Sequence, residues 1–476
     1  MTDGNQPGPR RFAVIGAGVV GASVAARLAE AGAGVTLLEQ DRPGQATTRW
    51  SLAWLNSNDK SPRAYHDLNH AGVRAWAALA DTLGGADWYR PSGNLEWAAT
   101  PEDRERLATR VRRLTAWGYP AHLVGAAEAA RIEPSLRLPG AVTEVAWFPE
   151  EGYLLTGVLT TRLTGHAAQH GATIRTGEAG RVTGFDMDGG RVRGVRTAAG
   201  EPMAVDAVVC CAGRWVPGLA ALTGPAEAAG PAEATGAAGS IAATGSVAAT
   251  GSAGSTGATR ATGPVPLVPW AEPGADAPGL VVEAGPAGPG GPARIVHAPD
   301  VHLRPHSGGL VHLEAPDARV DLHTSDADLR RWAGELLRRA RRVTGGLDGA
   351  EVTGYHVCVR PMPADGRSIV GWLPGADGLY VAVTHSGATL AAHLSQLIAA
   401  ELVSGAPAAA LAPFRPDRFA AAGGSVHTPG SLCPAGYSAR RAEAVRALAA
   451  HPAGPSAPAA ATTRPARART ASCHAA

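Results

Sequence analysis

Short unbroken apolar runs along this chain alternate with segments whose apolar positions recur every three or four residues. Runs at 12–15, 35–38, 172–175, 204–211 and 378–383 predict buried strands. Helical spacing governs 62–83, where Tyr65, Leu68, Val73, Trp76, Leu79 and Leu83 share a side. It returns at 101–117, 155–170, 325–343 and 388–404. A strand is expected at 94–98, and a hairpin at 180–186 and 191–197 across Gly189-Gly190. Strand-like pieces separated by Gly and Pro fill 266–320.

The first strand, helix and second strand carry a glycine fingerprint, GAGVVG, at 16–21. Gly16 allows the tight turn out of the strand. Gly18 lets a pyrophosphate approach the backbone, and Gly21 lets the helix lie close on the sheet. The helix start at Val19 and Val20 offers free N–H groups and a positive dipole end to phosphates. Glu39, at the end of the second strand, is placed to accept from a ribose hydroxyl. The unit reads as a dinucleotide-binding βαβ. Its strands come both before residue 40 and after 375, so the fold is interleaved. The expected class is α/β plus α+β. A Rossmann-like dinucleotide-binding domain is expected from 10–88, 141–222 and 356–420. A mixed-sheet substrate domain is expected from 89–140 and 265–355.

Composition removes two segments from this fold. Residues 223–264 are almost all Ala, Gly, Thr and Ser in imperfect repeats, and 421–476 are similar. Both lack the apolar content to offset ordering entropy, so a disordered insert and a disordered tail are expected. Residues 1–11 read as a disordered lead. Arg10-Arg11 is not read as an export signal, because cleavage after it would destroy the fingerprint. The formal net charge is +2, which gives no reason to expect nucleic acid or a membrane surface. No apolar run reaches 18 residues. Cysteines 210, 211, 358, 433 and 473 fit neither a disulfide framework nor a CxxC zinc site, and suit a reducing cytoplasm. The sequence does not set an oligomeric state.

With four segments in hand, the chain resembles the D-amino-acid oxidase superfamily of FAD enzymes, and is similar to glycine oxidase and monomeric sarcosine oxidase. The segments are the fingerprint ending at Glu39, GQATTRWSLAWLN (44–56), VDAVVCCAGRWVPGL (205–219), and CVRPMPADGRSIVGWLPGADGLYVAVTHSGATLAAHL (358–394). The resemblance implies one FAD, and hydride transfer from the C–N carbon of an amino acid or N-methyl amino acid to flavin N5. The product would be an imine. It places Thr47, Thr48 and Arg49 against the cofactor, Gly213 in the turn that closes its site, and Gly387 and Thr389 at the flavin's edge. Arg360 matches the arginine that holds a substrate carboxylate. Cys358 lies near the position that carries flavin covalently in sarcosine oxidase-like enzymes. His385 and His312 are the remaining catalytic candidates.

Two other readings stay open at this stage. One is an FAD-dependent 2-hydroxy-acid dehydrogenase; the other is a flavin-binding module without chemistry. The electron acceptor is oxygen or another molecule. The resemblance implies a lysine near flavin N5, but Lys60 is the only lysine and lies on the wrong segment. His312 stands in the matching region. A partly protonated histidine there predicts a slow oxygen reaction that speeds up as pH falls. Histidines 297, 302, 306 and 312 are expected on both faces of a hairpin with no carboxylate at ligand spacing, so no metal is expected.

Overall fold

The computed structural model describes residues 10–200, 202–223, 265–275 and 277–419. Apart from Thr223, the expected insert and the whole expected tail lie outside them. Arg11–Ile15 occupies the middle of a six-stranded sheet, parallel to Ala207–Cys210 on one side and Gly34–Glu39 on the other. Leu379–Val383 and Thr173–Thr176 extend it in parallel, and Ile369–Trp372 closes one edge antiparallel. The unbroken apolar run in Arg11–Ile15 follows from burial on both faces. Phe12 and Val14 join a core with residues of the helices Val19–Glu30, Arg63–Leu83, Thr156–Gln169 and Gly387–Ser404. Ala13 and Ile15 join another with Phe185, Val192 and Val195. The last three belong to the expected hairpin, Val182–Asp188 with Arg191–Thr197. Asp188 lies opposite Arg191, and Gly189 and Gly190 both take positive φ (55° and 82°), as a two-residue primed turn requires.

The second sheet has eight strands. Their order is Glu351–Val359, Pro278–Gly285, Val311–Glu314, His302–Pro305, Ile295–His297, Asn94–Glu96, Glu144–Phe148 and His122–Gly125. Glu144–Phe148 falls in the stretch that the sequence assigned to the nucleotide-binding sheet, yet it pairs with Asn94–Glu96. Glu351–Val359 runs across the expected 355/356 boundary and pairs along its length with Pro278–Gly285.

This sheet is split sharply by face. Leu280, Val282, Leu303, Val311, Leu313, Val296 and Leu95 pack with Ala333, Leu336, Leu337 and Ala340 of the helix Asp326–Val343. The register puts the alternate residues on the other face, and there they are polar. Cys358 pairs across Gly279, His356 across Val281, Glu283 across His312, His312 across Arg304, Glu314 across His302, and His302 across His297. That polar face meets the segment 47–58. A small sheet of Trp54–Leu55, Gly152–Leu154 and Tyr89–Arg90 ties the segment down.

Candidate active site at the polar sheet face

The glycine turn is built as the fingerprint expects. Gly16 has φ +93°, and a Cβ there would stand 2.9 Å from the Cys211 carbonyl oxygen and 3.0 Å from Ala212 Cα. A Cβ on Gly21 would overlap the Gly16 carbonyl oxygen. Gly18 differs: its Cβ would meet only Thr48 Oγ1, at 3.1 Å, so one side of the turn is left open. That open side fits a pyrophosphate, which a side chain would displace. Val19 N–H is taken by Thr48 Oγ1 at 3.0 Å. Among the described residues, the N–H groups of Val20 and Gly21 have no acceptor outside the helix. Glu39 faces the same turn. It accepts from Ala17 N–H at 2.8 Å and Asp41 N–H at 3.0 Å, while burial pushes its carboxyl up. The second helix N-terminus converges here, since a Cβ on Gly387 would touch Val20 Cγ2 at 3.4 Å. Two positive dipole ends thus share one site. Gly213 (φ +57°) lies in the turn after Ala207–Cys210, against Pro361.

From this turn the segment 47–56 runs over the polar sheet face and is pinned at several points. Thr47 Oγ1 donates to the Val359 carbonyl at 2.7 Å, and Thr389 Oγ1 to the Trp54 carbonyl at 3.1 Å. Arg49 is exposed, with its guanidinium over Trp50, and Trp50 stacks on His356 at 4.7 Å. Ala53 has φ +49°, a strained value for a residue with a side chain. Its neighbour Leu52 is held through its carbonyl. Arg304 Nε donates to the Leu52 carbonyl at 2.5 Å, and the Leu52 backbone lies close enough to Glu314 to lower its carboxyl.

Arg304 is the centre of a closed cluster that the sequence did not single out. The guanidinium is buried and uses all five donors. Besides Leu52 they reach the Ser51 and Pro305 carbonyls, His306 Nδ1 at 3.2 Å and His312 Nδ1 at 3.0 Å. A donor at both Nδ1 atoms puts the ring protons on Nε2, and His312 Nε2 then donates to Glu283 at 2.9 Å. Ligand atoms of Glu283, His306 and His312 lie within 4.8 Å of one another. The expectation of histidines scattered over both faces is therefore corrected: cross-strand register gathers His297, His302 and His312 on one face and sets Glu283 opposite His312 on the adjacent strand. Neither imidazole keeps a lone pair for a metal, because Arg304 donates to Nδ1 of both rings, at 3.2 Å and 3.0 Å, and adds a cation there. The same contacts overturn the titration expected of His312. Burial, then Arg304, lower its pKa, so it stays neutral near pH 7.

The candidates at the other end of the face are less satisfied. Arg360 follows the strand Glu351–Val359. Its Nε donates to the Ala277 carbonyl at 3.3 Å, and its Nη2 lies 3.8 Å from where a Gly279 side chain would begin. Among the described residues, Nη1 and Nη2 have no hydrogen-bond partner. Glu314 lies on the same face, buried enough to push its carboxyl up, with Arg360 the largest opposing influence. His385, in the turn before Gly387–Ser404, is held well below its usual pKa by burial, then by the charges of Lys60 and Arg360. Its Nδ1 has no partner. Lys60 lies outside the region where the resemblance implies a lysine, yet its charge is among those that lower His385. Cys358 is a buried thiol pushed up to about 12, chiefly by burial and then by Glu314.

A further buried carboxylate, Glu151, lies behind Trp54. It accepts from Tyr119 OH (2.6 Å), Trp54 Nε1 (2.8 Å), Asn94 Nδ2 (3.0 Å) and Asn58 Nδ2 (3.3 Å). Burial still pushes it up to about 8. Sequence reading missed Glu151, Arg304, Glu283 and Glu314. For Glu283 and Glu314 the available signal was a charged residue at an alternating position in an otherwise apolar strand, as in VVEAG and VHLEA.

The fold and parts of the sequence recur in known proteins. The L-proline dehydrogenase of P. horikoshii superposes with a TM-score of 0.69 at 18% identity, over 88% of this chain and 99% of that one. The glycine oxidase of Geobacillus kaustophilus does so with 0.65 at 22% identity, over 85% and 98%. The tRNA 5-methylaminomethyl-2-thiouridine biosynthesis bifunctional protein MnmC of Chromohalobacter salexigens is 31% identical over 222 residues, 45% of this chain; the match spans only 30% of that protein. The model of the FAD dependent oxidoreductase family DAO matches residues 11–402, so the chain belongs to that family and is an FAD-dependent oxidoreductase.

Proposed function

We infer that this enzyme oxidises the C–N bond of a small amino acid or N-methyl amino acid whose carboxylate docks on Arg360. The observation that carries the reading is the unpartnered Nη1 and Nη2 of Arg360 on the polar sheet face. A planar fork with two free donors suits bidentate carboxylate binding. The glycine turn at 16–21, Glu39 and the Gly387 helix start would hold FAD, which when bound supplies the hydride acceptor. Arg360 fixes the substrate's orientation, and the pinned segment 47–56 keeps the facing wall rigid. Oxygen or another electron acceptor completes turnover. The free buried thiols Cys210, Cys211 and Cys358 suit a cytoplasmic enzyme. Among the described residues, no single helix is long and apolar enough to cross a membrane.

The test is the visible spectrum of the purified protein, then anaerobic bleaching against glycine, sarcosine, D- and L-alanine, proline, and the matching hydroxy acids, esters and decarboxylated amines. Bleaching by amino acids but not by their esters supports the reading. Bleaching by hydroxy acids alone makes the enzyme a hydroxy-acid dehydrogenase. A protein that stays colourless with added FAD refutes cofactor and activity together.

A further inference from the structure

The geometry points to Glu314 as the group that receives the substrate's amine, binding it as the ammonium and taking its proton, while Arg360 holds the carboxylate. This rests on the amino-acid reading above.

The two side chains share one face of the sheet. Glu314 pairs across Val281, and Gly279, two residues along that strand, leaves the space that the Arg360 guanidinium covers. The charge of Arg360 lowers the Glu314 carboxyl, yet no ion pair closes between them within 4 Å among the described residues. Each keeps capacity in reserve. Arg360 has spent only Nε within the protein, and among the described residues no side chain donates a hydrogen bond to Glu314. The other cation nearby, Arg304, has no donor left to offer. A cation and an anion held apart on one half-buried face match the two charges of an amino-acid zwitterion. A neutral or hydroxy ligand would give the half-buried Glu314 carboxylate no cation, which disfavours it.

The chemistry follows from the same pairing. Hydride loss from the α-carbon needs the nitrogen lone pair, and an ammonium has none. One N–H bond breaks and one carboxyl O–H bond forms. The products are a neutral amine and a protonated Glu314, with no change in oxidation state. Burial favours the protonated carboxyl, and this drives the transfer. The other charged or titratable groups around Glu314 are Arg304 and Cys358, His302 directly opposite on the neighbouring strand, and His312 and His356 alongside on the same face. Arg304 stays charged. The Cys358 thiol, His312 and His356 stay neutral near pH 7, because burial raises the thiol and lowers these two histidines.

The first test needs no turnover. 2-Aminoisobutyrate and 2-hydroxyisobutyrate have no α-hydrogen, so both can be titrated into the oxidised holoenzyme by the change in flavin absorbance. The wild type should prefer the amine. Glu314→Gln should cut that preference at least about tenfold while keeping the affinity for the hydroxy acid, and Arg360→Met should weaken both. The second test is the pH profile of kcat/KM on the best amino acid of the bleaching panel. In Glu314→Gln it should fall at least about 30-fold at pH 7 and recover roughly tenfold per pH unit toward the substrate's own ammonium pKa. Glu314→Asp should restore part of the loss. An unchanged preference and profile in Glu314→Gln would overturn the Glu314 assignment and leave the carboxylate clamp standing. So would equal loss of both ligands, because it marks a structural role. A wild type that binds neither ligand and is bleached by no amino acid overturns both proposals.

Discussion

Two arginines on the same sheet face, Arg304 and Arg360, have opposite circumstances. Arg304 is buried and donates with every N–H, to three carbonyls and two histidines. Arg360 sits at a strand end with two nitrogens unspent. The cost of burying a cation, which pulls Arg304 down to about 10, is tolerable only where the donors are satisfied. A saturated cluster has nothing left for a ligand and can only position its neighbours, here Ser51, Leu52 and the strained Ala53. An unsaturated one is left for an occupant from outside.

The largest effect is expected from breaking the saturated side. Arg304→Met leaves the Ser51, Leu52 and Pro305 carbonyls and two imidazole nitrogens without donors. It should cost about 3–5 kcal/mol of stability, read by denaturant unfolding, and should loosen flavin binding as the 51–53 segment is freed. A loss below 1 kcal/mol would show that the cluster does not hold the segment.

Arg360→Met sharpens the contrast. It should change stability by less than about 0.5 kcal/mol but cost about 1.5–3 kcal/mol in kcat/KM for carboxylated substrates, at unchanged flavin content. Equal effects on esters and acids would remove the clamp.

Glu151 supplies a pH-dependent version of the saturated case. Its pKa rises from 4.5 to about 8 on folding. Between those values the folded state binds the extra proton, so the stabilisation is full below about pH 4.5 and is lost as pH rises through 8. From pH 5.5 to 7 the wild type should lose about 1–2 kcal/mol relative to Glu151→Gln. Parallel stability curves for the two proteins would mean that the carboxylate is already ionised in the fold.

The smallest effect belongs to Cys358. Burial holds it as a thiol, which is a poor nucleophile. The flavin should therefore be released on acid denaturation, and Cys358→Ser should retain the full visible spectrum. Flavin that stays with the precipitate would show a covalent bond.

Local chemistry made part of this protein legible without any structure. The glycine fingerprint, Glu39, the Gly189-Gly190 hairpin and the two-sided apolar strands each depend on neighbours within a few dozen residues, and the periodicities of strand and helix express them directly. Arg360 was readable because it ends a strand inside a motif. The rest depended on register. Glu144–Phe148 is apolar on both sides, so no alternation told which sheet it would join. Glu283, Arg304, His312 and Glu314 come from three strands, and nothing in their spacing states which rows align. The charge of Lys60 bears on His385 only because the chain folds back across more than 300 residues. A one-residue slip in any of those strands would send its polar residues to the helix-covered face. The sequence determined that this is a dinucleotide-binding αβ protein and singled out Arg360, the arginine proposed here to hold a carboxylate. Only the pairing of distant strands decided which charges meet there, because cross-strand neighbours are set by the packing of the whole sheet and not by the chain's local order.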